Sequence, residues 1–163
     1  MAEQRRFSGV LLVDRRGWIL LQERDEHPVI DPDCWGLVGG HVDPGEDFEA
    51  AAHRELTEET EVVVPPGGLH YFAEFEVDHT EAYGTLDRMA VYVATTDLTD
   101  ADVVCHEGRR IVFVDPGEIS GLRLTKGAGV ILPAFLLSDV YRDMVAPTAP
   151  PFRFFSPRPR SIQ

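Results

Sequence analysis

The chain has 163 residues, 44% hydrophobic and 26% charged, which suits a single globular domain with a core of its own. Its 28 acidic and 15 basic residues give a formal charge of −13, which argues against binding to nucleic-acid backbones or anionic lipid. Cys34 and Cys105 form no CxxC pair, which argues against a disulfide framework or structural zinc and for a cytoplasmic setting, and no apolar run reaches the length of a signal peptide or membrane span. An anionic small molecule remains compatible with this charge if a divalent cation bridges it to acidic side chains.

In chain order, apolar runs at 7–13 and 18–22 flank the turn Asp14-Arg15-Arg16-Gly17 and predict a hairpin. Residues 23–33, with Pro28 and Pro32, read as a loop, and 34–38 as a short strand ending at the double glycine Gly39-Gly40. From Asp47, a candidate N-cap, to about Thr60 the composition is helical, and Pro65-Pro66-Gly67-Gly68 stops it. Residues 69–77 and 86–95 alternate as two strands joined by a link at 79–85. An acidic loop at 97–110 leads to a short strand at 111–114, and 116–121 reads as a helical turn. Residues 129–144 predict one amphipathic helix with Pro133 in its first turns. The domain spans 1–144, and the Pro/Phe/Arg-rich stretch 145–163 reads as an extended tail that docks on its own domain or on a partner. Together these elements give the α/β (α+β) class, with a mixed central sheet between helices.

The densest chemistry lies at 39–62, where six glutamates fall in one loop and one helix. Glu55, Glu58 and Glu59 stand at i, i+3 and i+4, within an arc of roughly 100° on a helix. Three carboxylates on one face repel one another unless a cation lies between them. All-oxygen donors suit Mg²⁺ or Mn²⁺. A solvated acidic face is the other reading of the same residues.

Gly40, Glu46, Arg54-Glu55-Leu56, Glu58-Glu59 and Val62 carry a further pattern. Their spacing resembles the Nudix box, G-x5-E-x7-R-E-U-x-E-E-x-G-U, where U is a bulky aliphatic residue. Every fixed position matches except one, since Glu61 stands where the family has Gly. Val38 also stands where many relatives have proline. The resemblance implies a Nudix-like α/β/α sandwich that hydrolyses a nucleoside diphosphate linked to another moiety X. By position it makes Glu55, Glu58 and Glu59 ligands of Mg²⁺ or Mn²⁺, with the Gly40 carbonyl as an additional ligand. Glu59 is the indispensable ligand in this scheme, and Glu55 can also serve as general base. Glu46 and Arg54 would orient a glutamate without touching the metal. Glu61 puts the helix end in doubt, because the family Gly allows a left-handed cap there.

Outside the box, Glu107 is a candidate for a further metal ligand or base from a late loop, ahead of Asp102. His41 can touch phosphate or be a plain surface histidine. Cys105 and His106 receive no role. Trp35, Tyr83, Phe72 and Phe75 can stack on a base or fill the core. Arg24 and Arg88 can meet phosphate or ribose, or form surface ion pairs. Nucleoside triphosphates, oxidised ones included, rank first as substrate, and a nucleoside diphosphate sugar or ADP-ribose next. The alternative is a nucleotide-binding sensor without turnover. The expected partner is a small-molecule nucleotide, not nucleic acid or membrane, and the tail offers a means of forming a homodimer.

Overall fold

The computed structural model describes residues 2–147. The expectation of an extended tail falls mostly outside them. Strand β1 (Arg6–Val13) and strand β2 (Ile19–Glu23) form the expected hairpin. Asp14 builds its turn: the carboxylate accepts the N–H groups of Arg16 and Trp18, and Gly17 supplies a φ of 81°. The two strands pair at Val13–Ile19 and then part. On one branch β1 runs parallel to β6 (Thr85–Thr95) and antiparallel to β4 (Val38–His41), and β5 (His70–His79) adds antiparallel to β6. On the other branch β2 takes β7 (Arg110–Val114) and the two-residue β3 (Trp35–Gly36). The result is one mixed seven-stranded sheet.

Side-chain alternation gives the sheet a core on each face. Val10 and Leu12 of β1 pack with Ala52 and Leu56 of helix α1 (Phe48–Thr60). Leu11 and Val13 pack instead with Ile131, Leu132 and Phe135 of helix α4 (Lys126–Leu136). This is the expected sandwich. Short helices α2 (Thr80–Tyr83) and α3 (Pro116–Ile119) interrupt the connections.

Three local expectations are corrected. The double glycine does not end a strand: Gly39 and Gly40 lie inside β4 and pair with Gly9 and Ser8. The last helix is two helices, with α5 (Asp139–Val145) started afresh by Ser138, whose hydroxyl accepts the Tyr141 N–H. Pro133 sits within α4 rather than in its first turns. It is tolerated because the Gly129 side of the helix is exposed, where water can serve the carbonyl that Pro133 leaves unbonded. Among the described residues no helix is long and apolar enough to cross a membrane. Cys34 and Cys105 are free thiols.

Candidate active site

Helix α1 begins where expected, with the Asp47 carboxylate accepting the Ala50 N–H at 2.7 Å. Ala51, Ala52 and Leu56 anchor it to the sheet, and that anchoring presses Glu55 and Glu59 against β4. Glu59 is only 4% exposed and accepts the Gly39 N–H at 3.2 Å. The glycines permit this approach. A Cβ on Gly39 would lie 2.1 Å from the Ser8 carbonyl oxygen, and one on Gly40 2.7 Å from the Glu55 carboxylate. Gly40 therefore sits against the carboxyl group that shares its expected role.

Arg54 ties the loop to the helix. Its guanidinium donates two bonds to Glu46, each 2.9 Å, one to Glu55 at 2.9 Å and one to Glu58 at 3.1 Å. A fifth goes to the His41 carbonyl at 2.9 Å. Hydrogen bonding to Arg54 holds the Glu46 carboxyl down to about 2, while the Arg54 guanidinium is raised, first by Glu46. Arg54 thus bridges Glu46 of the loop to Glu55 and Glu58 of the helix.

The loop before β7 closes the cluster. The last carbonyls of α1 lack intrahelical partners, and the Glu59 and Thr60 carbonyls accept N–H groups from His106 and Val104 at 2.9 and 3.1 Å. Buried Gln22 donates to the Glu107 carbonyl at 2.9 Å, and Gly108 turns at φ 82° against Glu23. These anchors bring Glu107 near enough to Glu59 for it to act on the Glu59 carboxyl. Burial, then Glu107, then Glu55 push the Glu59 carboxyl up to about 10. Burial likewise raises Glu55 against the pull of Arg54. Without a cation, burial and the neighbouring acidic groups favour the protonated form of Glu59. An oxygen-only donor set whose charges require neutralising fits a hard divalent cation. Glu58 lies further out, exposed and drawn to Arg54. Among the described residues, Asp25, Glu26 and His27 form a tighter exposed group, with donor atoms within 4.8 Å, and the box glutamates are more widely spread.

This arrangement has recognisable relatives. A family model described as NUDIX domain matches residues 3–135. The chain belongs to the Nudix family. Over 57 residues it is 46% identical to an RNA pyrophosphohydrolase of Bradyrhizobium diazoefficiens, covering 33% of this chain and 34% of that protein. Over 51 residues it is 45% identical to a Bacillus subtilis protein provisionally named 8-oxo-dGTP diphosphatase, covering 31% of each. The chain thus spans about a third of the length of these curated relatives. A MutT protein of Methanosarcina mazei superposes with a TM-score of 0.69 at 21% identity, over 82% of this chain and 93% of that one, a likeness of fold.

Beside the Nudix box lies a cleft of about 300 Å³ on the α4 face of the sheet. Gly39, Gly40 and Glu107 border it near the carboxylates, while Phe7, His41, His79 and Tyr83 line it elsewhere. Arg24 lines it too and donates to the Ile30 carbonyl, though its Nε is buried without a partner. Tyr83 lines it with the Arg5 guanidinium stacked 3.4 Å from its ring centre.

Trp35 is corrected as a base platform. It is buried in the α4-side core, with Arg110 over its ring, and does not border the cleft. Phe72 and Phe75 take the core reading: Phe72 packs edge-on against Phe135 of α4 and stacks with Phe75. Arg88 is paired with Glu74. His106, given no role from sequence, meets Glu61 at 3.1 Å. Sequence reasoning missed Gln22, which anchors Glu107. Its signal was one amide in the otherwise apolar run Ile19-Leu20-Leu21-Gln22.

Proposed function

We propose that the chain is a divalent-cation-dependent pyrophosphohydrolase that cleaves a nucleoside triphosphate, oxidised ones included, to the monophosphate. The observation that carries this reading is Glu59, buried beside Glu55 and Glu107 and bonded to Gly39, which borders the cleft together with Gly40 and Glu107. Glu55, Glu59 and Glu107 would hold Mg²⁺ or Mn²⁺, with Glu58 and the Gly40 carbonyl completing the set. When bound, the ion neutralises the phosphate charge that repels an attacking water and makes that water more acidic. Hydrolysis adds water across the anhydride. A water oxygen bonds to phosphorus, the bridging oxygen leaves with the other phosphate, and a carboxylate takes the released proton. Glu55 suits that step, because burial raises its proton affinity.

The relatives' names support pyrophosphate chemistry and diverge on the substrate. The charge of −13 favours a free nucleotide over the end of an RNA chain. Nucleoside diphosphate sugars and ADP-ribose rank next. A sensor without turnover is disfavoured, since every box glutamate is retained. The test is a product assay with Mg²⁺ and then Mn²⁺ on nucleoside triphosphates, 8-oxo-nucleotides, nucleotide sugars, ADP-ribose and 5′-triphosphate RNA. Monophosphate and pyrophosphate from a triphosphate is the expected result. Binding without release of any product would favour the sensor.

A further inference from the structure

The cleft holds a second built feature, which the carboxylate chemistry does not use. Asp87 of β6 is fully buried, and His79 at the end of β5 is 5% exposed. The His79 Nδ1 lies 2.8 Å from the Asp87 Oδ2, while the other Asp87 oxygen accepts the Arg5 N–H at 2.8 Å. Burial raises the Asp87 carboxyl, yet the Arg5 amide and His79 outweigh it and hold the group below its ordinary value. An ionised carboxylate only accepts, so Nδ1 must donate. In the neutral ring Nε2 is then left as an acceptor. His79 occupies the N-cap position of α2 without capping it. Among the described residues only its Nδ1 makes a hydrogen bond. His79 borders the cleft.

Aromatic rings surround His79 in the cleft. Ring contacts run from His41, beside Gly40, to Phe7 at 4.3 Å and on to His79 at 5.3 Å. Tyr83 adds an edge-on ring at 6.1 Å from His79. Leu37 and Met89 pack where a Gly9 side chain would stand and line the same cleft, which Gly39, Gly40 and Glu107 border on the carboxylate side. Strands at about 4.8 Å spacing put β5 about 14 Å from β4, near the reach of a nucleotide from phosphate to base. An aromatic wall with one fixed acceptor suits a flat heterocycle with N–H groups on its edge.

We propose that His79, held in one tautomer by Asp87, is a specificity-determining residue that accepts a hydrogen bond from the ring edge of the substrate's nucleobase. The proposal rests on the nucleotide reading above, and the test separates the two. Two substitutions probe it. His79→Leu removes the acceptor. Asp87→Asn keeps the ring but offers its Nδ1 a donor in place of an acceptor, which moves the ring proton to Nε2. Affinities for guanosine and adenosine monophosphates and for base-free ribose 5-phosphate, with Mg²⁺, are measured by calorimetry on wild type and both variants. Imidazole ¹⁵N shifts report the tautomer, and turnover of GTP and ATP is followed in parallel.

The wild type is expected to bind at least one nucleotide more tightly than ribose 5-phosphate. Both variants should lose that advantage, about tenfold, while ribose 5-phosphate binding stays unchanged, and the ¹⁵N shifts should change from Nδ1–H to Nε2–H in Asp87→Asn. No advantage in the wild type, an advantage that survives both changes, or an equal loss for both ligands would each overturn the proposal. If His79→Leu does not fold, Asp87→Asn alone decides. A wild type that shows the base-dependent gap but no hydrolysis would sink the enzymatic reading and leave His79 as base reader intact.

Discussion

At the scale of single residues, the site depends on neutralising buried charge. Glu59→Gln keeps the shape and removes one carboxylate. Turnover is expected to fall at least 100-fold, while far-ultraviolet circular dichroism stays native; a variant as active as wild type would remove Glu59 from the site. The same change should stabilise the metal-free fold at pH 8 by on the order of 2 kcal/mol, because the buried carboxyl group no longer has a charge to lose to burial. Arg54 behaves differently. It holds Glu46, Glu55 and Glu58 at once through its planar fork, and a lysine cannot reproduce that geometry. Arg54→Lys should lower kcat/KM by about 10 to 100-fold, with the loss weighted toward kcat. A loss confined to KM would place Arg54 at the substrate instead.

At the scale of the element, α1 ends on Glu61 at φ 59°, the left-handed position for which the family uses glycine. Its N–H still closes on the Thr57 carbonyl, so the cap geometry is kept with an unsuited residue. Such a residue costs about 1 kcal/mol relative to glycine. The exposed pairing with His106 returns little of that. Glu61→Gly is therefore expected to raise the urea midpoint by the equivalent of about 0.5–1 kcal/mol, with activity unchanged. The spacing of Glu55, Glu58 and Glu59 and the N-cap at Asp47 were legible in sequence because helical period and capping are local. Phe72, Phe75 and Trp35 were not, because alternation marks a face without saying whether a helix or a ligand covers it. The break at Leu137 and Ser138 escaped notice because both flanks keep an apolar stripe.

At the scale of the whole molecule, protonation and folding are linked through Glu59. The folded group keeps its proton up to about pH 10, while an unfolded glutamate loses it near about 4.3. Over that window the unfolded state binds fewer protons, so the stability of metal-free protein falls as pH rises. Glu46 acts in the opposite sense. Held down to about 2, it favours the fold above the unfolded value and loses that contribution as pH falls toward 2. The EDTA-treated protein should therefore show a falling Tm between pH 5 and 9. Mg²⁺ should raise Tm most at the upper end, where the ion replaces the proton. A flat profile, equal with and without Mg²⁺, would contradict the cation site. The mixed sheet and its flanking helices followed from the order of elements. The placing of Glu107 did not, because it depends on Gln22 and on carbonyls at the end of α1, which meet only after folding.

The fork in the sheet has a consequence for how such a molecule can diversify. The box helix rides on the β1 branch, and Glu107 hangs from the β2 branch, with β1 and β2 joined at Val13 and Ile19. Between Thr96 and Arg110 the chain meets α1 at two backbone hydrogen bonds, from Val104 and His106. Insertions on the far side of those two bonds would leave the box helix in place while altering what reaches it. Because the same loop carries Glu107, an exchange that keeps Glu107 and those two bonds would change what reaches the site without redesign of the box.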